Sequence, residues 1–177
     1  MGSRLFLHSE VLLEIKASFC IYLCMILLLL PLRWVIAILS AAAIHEACHI
    51  LMLLVFRCKL RSIVLSASGM IISTSSLPPL EQIICAAAGP VGGLLAGALL
   101  YMFPRFAFCA FIQSVYNLLP LYPLDGGRIL QGICGMLPDK IGRVLALAVR
   151  AATLLALCFV ILWLTIHLNV INWPLEI

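Results

Sequence analysis

Long apolar runs broken by short polar punctuation dominate this chain. Residues 17–30 and 34–56 form two nearly uncharged stretches separated by Pro31-Leu32-Arg33, and their length predicts two membrane-spanning helices. Residues 1–16 instead mix Arg4, Glu10, Glu14 and Lys16 with Leu and Val, the pattern of a short amphipathic or interfacial segment. After the basic loop Arg57-Cys-Lys-Leu-Arg61 the pattern changes again. Ile63-Val-Leu65 and Met70-Ile-Ile72 are β-prone, flank Ser66-Ala-Ser-Gly69, and are followed by a Ser/Thr cluster and Pro78-Pro79. That order predicts a short membrane-associated β-hairpin or re-entrant element over 62–79. Irregular backbone at membrane depth must be shielded by protein or line a watery cavity. A third span is expected over 81–103, ended by Pro104-Arg105. A fourth begins near Phe106 and runs into Asn117-Leu-Leu-Pro-Leu-Tyr-Pro-Leu-Asp-Gly-Gly127, where two prolines and two glycines must open the helix. A short helix over 128–138 and a last span over 141–168 complete the pattern. The expectation is an all-α polytopic membrane protein with about five to six transmembrane helices and one small β or re-entrant element. No repeat or linker divides it, so residues 1–177 read as one domain.

Composition agrees. Of 177 residues 65% are hydrophobic and only 10% charged, and mean hydropathy is +1.23. A soluble domain carries nearer a quarter charged residues, so the lipid bilayer is the natural solvent. The net charge of +4 is scattered over short loops, and the basic residues never cluster with interleaved aromatics, which argues against nucleic acid as a partner. Eight cysteines offer no CxxC pair and no structural zinc spacing. Five of them, Cys20, Cys24, Cys85, Cys109 and Cys158, sit in apolar runs, where a thiol is a small hydrophobe. The first apolar run is too long for a signal-peptide core, and cleavage after Ala43 would strand the motif that follows, so the first span is expected to be retained.

That motif is His45-Glu46-Ala-Cys-His49. Two histidines four apart share one helical face and can reach one metal ion, while the adjacent glutamate can take a proton from a metal-bound water. The bland alternative, two buried histidines satisfied by carbonyls, still has to bury Glu46 in the membrane at considerable cost. A catalytic zinc needs a third protein ligand. The chain has two aspartates: Asp125, in the proline-broken fourth span beside Gly126 and Gly127, and Asp139, a solvated loop residue by its neighbours Pro138 and Lys140. Asp125 is therefore the candidate third ligand. Asn117 precedes the break and either holds a substrate strand or serves as a cap. The Gly89-Pro90, Gly92, Gly93 and Gly97 run is the signature of close helix packing. His8 and His167 read as interfacial, and Arg128 and Arg150 as snorkelling or phosphate-facing.

HExxH in an early span, Gly-Pro in the middle and Asn117-x-x-Pro-x-x-Pro-Leu-Asp-Gly-Gly-Arg128 late in the chain together resemble the site-2 protease family of intramembrane zinc metalloproteases. The likeness extends over residues 17–168 and is greatest to the minimal bacterial branch typified by the stage IV sporulation protein FB protease. It implies that His45, His49 and Asp125 bind one zinc, that Glu46 is the general base and that Asn117 contacts substrate. It also implies that the 62–79 element receives substrate as an added strand. The implied substrates are membrane-anchored regulators, such as anti-sigma or pro-sigma factors, cut in a bacterial cell membrane or forespore membrane. Two features depart from the family pattern: Gly92-Gly93 stand where an Asn often follows the Gly-Pro, and neither a PDZ insertion nor a CBS domain is recognisable. The rival reading is a non-catalytic membrane zinc-binding protein or a pseudoprotease that binds transmembrane helices; such a site has no need of Glu46.

Basic residues set the expected topology. With the N-terminus cytoplasmic, Arg4, Lys16, Arg57, Lys59, Arg61, Arg128, Lys140 and Arg143 fall inside, Arg33 and Arg105 outside. The last span then exits at Asn172-Trp173, with Glu176 outside. His49 precedes Arg57 by eight residues, about 12 Å of helix, so the motif lies within the hydrocarbon towards the cytoplasmic side.

Overall fold

The computed structural model describes residues 4–7, 11–67 and 69–172. His8, Trp173 and Glu176, which the sequence assigned to interfacial or outer positions, lie outside the described residues. The order is β1 (Arg4–Leu7), β2 (Val11–Ile15), α1 (Ala17–Leu29), α2 (Leu32–Val55), β3 (Leu60–Ser66), β4 (Gly69–Thr74), α3 (Pro79–Leu99), α4 (Pro104–Asn117), α5 (Asp125–Gly135) and α6 (Asp139–Asn172).

The protein is a helical membrane protein with a small sheet. Leu32–Val55, Pro79–Leu99 and Asp139–His167 are each long and apolar enough to cross a bilayer. Of the five to six spans expected, these three reach that length. With 13 and 14 residues, α1 and α4 extend only about 20 Å, short of a hydrocarbon core of about 30 Å. Exposed Leu28, Leu51, Leu95, Phe108 and Leu155 present apolar side chains outward, as lipid-facing surfaces require.

Small residues let the central helices approach. Ala41 of α2 and Ala110 of α4 are buried with Phe106, and Ile44, Ala96 and Cys109 pack around them. Across this contact α2, α3 and α4 form the core; α5 packs on α3 and α6 on α5. Gly93 faces Ser114 and Gly97 faces the α4 backbone near Ala107, which is the close packing expected of the glycine run. The chain leaves α2 through Arg57, whose φ of +53° is left-handed. Cys58 N–H donates to Leu53 O and Arg57 N–H to Leu54 O, capping the last turn.

The β element is larger than a hairpin. β3 and β4 pair antiparallel as expected, but β2 adds parallel to β3 and β1 pairs antiparallel with β2, giving the order β1-β2-β3-β4. The segment read as amphipathic or interfacial is therefore strand. A hairpin leaves two unpaired edges, and β2 covers the one on β3. The other edge, β4, carries no strand among the described residues.

Candidate metal centre

Three elements bring the site together. α2 supplies His45 and His49 from one face, both buried, at 2% and 9% relative exposure. α4 ends at Asn117, and the chain doubles back through residues 118–124 before α5 starts at Asp125. That reversal is tight. A Cβ on Gly126 would stand 2.1 Å from Leu118 O, and one on Gly127 2.6 Å from Leu121 O. Only glycine lets the loop close against the start of α5, and closure carries the Asp125 carboxylate, 8% exposed, to the histidines.

The contacts are close. Asp125 Oδ2 lies 3.0 Å from His45 Nε2 and 3.1 Å from His49 Nε2, and the two Nε2 atoms are 3.2 Å apart. Asn117 Nδ2 is 3.4 Å from His45 Nε2. His49 Nδ1 lies 2.7 Å from Cys85 O, which can only accept, so a neutral His49 donates from Nδ1 and turns a lone pair on Nε2 towards Asp125. A carboxylate oxygen and an imidazole lone pair at that distance repel unless a cation lies between them. A tetrahedral ion with bonds of about 2.05 Å holds its donors about 3.3 Å apart, close to the spacing of this triangle. The donor set fits a zinc-sized ion.

α3 shapes the other wall, and two of its features were not legible as parts of the site. A Cβ on Gly89 would stand 2.2 Å from His49 Nε2 and 2.7 Å from His45 Nε2, so glycine is needed for the imidazoles to meet there. Pro90 lacks an N–H, so the helix loses a backbone bond one turn from the carbonyl that orients His49. The Gly-Pro pair inside an apolar helix was the available signal. The Cys85 carbonyl gave none, because backbone acceptors are common to every residue.

Glu46 is half-buried, and the turn of the sheet comes to it. The Gly69 α-carbon, at φ +110°, lies close enough that a Cβ would be 3.9 Å from Glu46 Oε1. Neither Asp139 nor His167 joins the centre: Asp139 is exposed at the start of α6, and His167 stacks on Trp163 with ring centroids 4.2 Å apart. The buried His45 Nδ1 has no hydrogen-bond partner among the described residues. All eight cysteines are free thiols; Cys85 is buried, whereas Cys20, Cys24 and Cys158 are exposed.

Comparison with known proteins points the same way. The model for Peptidase family M50 matches residues 99–161, which include Asn117 and Asp125. No curated protein sequence matches the chain. Among solved structures, the site-2 protease from Methanocaldococcus jannaschii is similar, with a TM-score of 0.65 and 20% identity, covering 97% of this chain and 88% of that one; at that identity the likeness speaks to the fold. The match over residues 99–161, the likeness in fold and the clustering of the HExxH histidines with Asp125 agree with one another: part of the chain is similar to Peptidase family M50, on a fold like that of a site-2 protease.

Proposed function

We propose that this chain is an intramembrane zinc metalloprotease that hydrolyses peptide bonds of membrane-embedded or membrane-anchored regulatory proteins. The observation that carries the reading is the triangle of His45, His49 and Asp125 with Glu46 beside it, reached by a sheet with an open edge.

In this reading His45, His49 and Asp125 hold one zinc ion. When bound, zinc supplies a Lewis acid that lowers the pKa of water from 15.7 to about 7 and polarises a carbonyl. Glu46 takes a proton from the attacking water as the oxygen adds to the scissile carbonyl carbon, then returns it to the leaving nitrogen. Asn117, within 3.4 Å of His45, is close enough to donate its amide to the substrate carbonyl. Cleavage needs an unwound substrate, because an intact helix ties up each carbonyl in its own hydrogen bonds. The free edge of β4 offers unpaired backbone groups for an extended strand, and its turn leads directly to Glu46.

Anti-sigma or pro-sigma factors are the substrate class this reading favours, in a bacterial cell membrane or forespore membrane, with the N-terminus cytoplasmic. Kinship to the stage IV sporulation branch belongs to the same proposal. The test is the membrane proteome of cells carrying wild-type or Glu46→Gln protein. Uncut single-span proteins should accumulate with Glu46→Gln; identical profiles would contradict the assignment.

A further inference from the structure

A second polar cleft lies between α5 and α6, apart from the histidines. Gln131, Cys134, Asp139, Arg143 and Arg150 line a cavity of about 280 Å³. Arg143 and Arg150 are two turns apart and face the same side of α6. The Arg143 Nε–H donates to the Asp139 backbone carbonyl at 3.2 Å, which leaves its terminal nitrogens free. The Arg150 Nε is buried and has no hydrogen-bond partner among the described residues. Among the described residues no carboxylate pairs with either guanidinium. A buried, unpaired donor on a charged group is costly, and the exposed Arg143 guanidinium adds a second positive charge to the same cleft, so an anion suits it.

Depth indicates which anion. Beyond Arg150, residues 151–166 of α6 carry no charged side chain, about 24 Å of apolar helix. Arg150 therefore stands where the hydrocarbon begins, and Arg143 lies one headgroup layer further out. Phosphates of lipids occupy that level. The helix also needs an apolar companion: α6 meets the bundle through α5, and Leu147, Leu154 and Leu155 are exposed, so acyl chains can lie along it. The Asp139 carboxylate at the mouth of the cleft can accept a headgroup hydroxyl.

We propose that the α5–α6 cleft binds the phosphate of one anionic phospholipid, held by Arg143 and Arg150, and that this lipid fastens α6 to α5. The inference is independent of the proteolytic reading. The test is native mass spectrometry of the full chain purified in detergent with phosphatidylglycerol or phosphatidylcholine, alongside its thermal unfolding. Wild-type protein should retain one phosphatidylglycerol in preference to phosphatidylcholine and unfold at higher temperature with it. The Arg143→Gln/Arg150→Gln double variant should bind it roughly tenfold more weakly or worse, whereas Arg61→Gln, at an exposed arginine of β3, should bind it normally. If the double variant is not recovered folded, Arg143→Gln alone, at an exposed position, should show a smaller loss in the same direction. Equal retention by the Arg143 and Arg150 variants, an equal loss in Arg61→Gln, or the same thermal shift from inorganic phosphate alone would overturn the proposal.

Discussion

His49 donates from Nδ1 to the Cys85 carbonyl at 2.7 Å, so the nitrogen it presents to Asp125 at 3.1 Å is a lone pair. With His49 neutral and no metal ion, the centre of the protein holds an electrostatic conflict. Removing the metal with a chelator should therefore lower the thermal unfolding midpoint, and stoichiometric zinc should restore it. At free zinc 100 times its dissociation constant the gain is about 2.7 kcal/mol. His49→Ala should show no zinc-dependent shift. The measurement is a melting curve in detergent or nanodiscs with and without zinc.

The third ligand separates two aspartates. Asp125→Ala should lose most bound zinc and most activity, and Asp139→Ala should change neither. Asp125 touches both histidines, whereas Asp139 is exposed at the start of α6. Metal analysis of both purified variants checks this; stoichiometric, tightly held zinc in Asp125→Ala would remove it from the ligand set.

Two glycines should behave as parts of the centre. A Cβ on Gly89 would enter the space of both imidazole Nε2 atoms, and one on Gly126 would strike the Leu118 carbonyl. Gly89→Ala and Gly126→Ala should each reduce zinc affinity by about 10- to 100-fold, the scale set by disturbing a ligand's support. Gly135→Ala, whose nearest contact is Pro79 Cγ at 3.8 Å, should bind zinc like the parent. Competition with a zinc-binding dye gives the three affinities.

These contrasts show what the sequence could reveal. The two histidines and Glu46 lie within five residues, so one turn of helix fixes their relation before tertiary structure enters. Asp125 was readable because prolines and glycines marked a break around an otherwise unaffordable carboxylate. The β3–β4 hairpin announced itself through β-branched runs around a turn. The pairing of β2 with β3 did not, because it joins Leu12 to Ser62 across an intervening helix hairpin, and no local pattern encodes a partner that distant. Gly89 and the Cys85 carbonyl were hidden for a related reason: their roles exist only once α3 is packed against α2.

Topology gives another outcome to check. Arg33 and Arg105 lie at helix starts at one end of the bundle, Arg105 over the Trp34 ring, and the Arg57–Lys59 loop follows the opposite end of α2. With the N-terminus cytoplasmic, a cysteine at Lys59 in a thiol-free background should resist an impermeant maleimide in intact cells, and one at Arg105 should react. Lys59 is exposed and suits the labelling. The reverse labelling would invert the orientation and move the expected cut sites to the other leaflet.

The most direct test of the central claim is the cleavage rate of a single-span membrane protein by the purified, zinc-loaded chain in lipid, compared with its Glu46→Gln variant. Glutamine keeps the shape of Glu46 but cannot accept the proton of water. Peptide mass spectrometry should find new termini in or beside the span with the wild-type chain. With Glu46→Gln, equally loaded with zinc, the rate should fall by about 10²- to 10⁴-fold, the usual contribution of general acid–base catalysis. Cleavage by Glu46→Gln at the wild-type rate, at the same bond, would contradict the account.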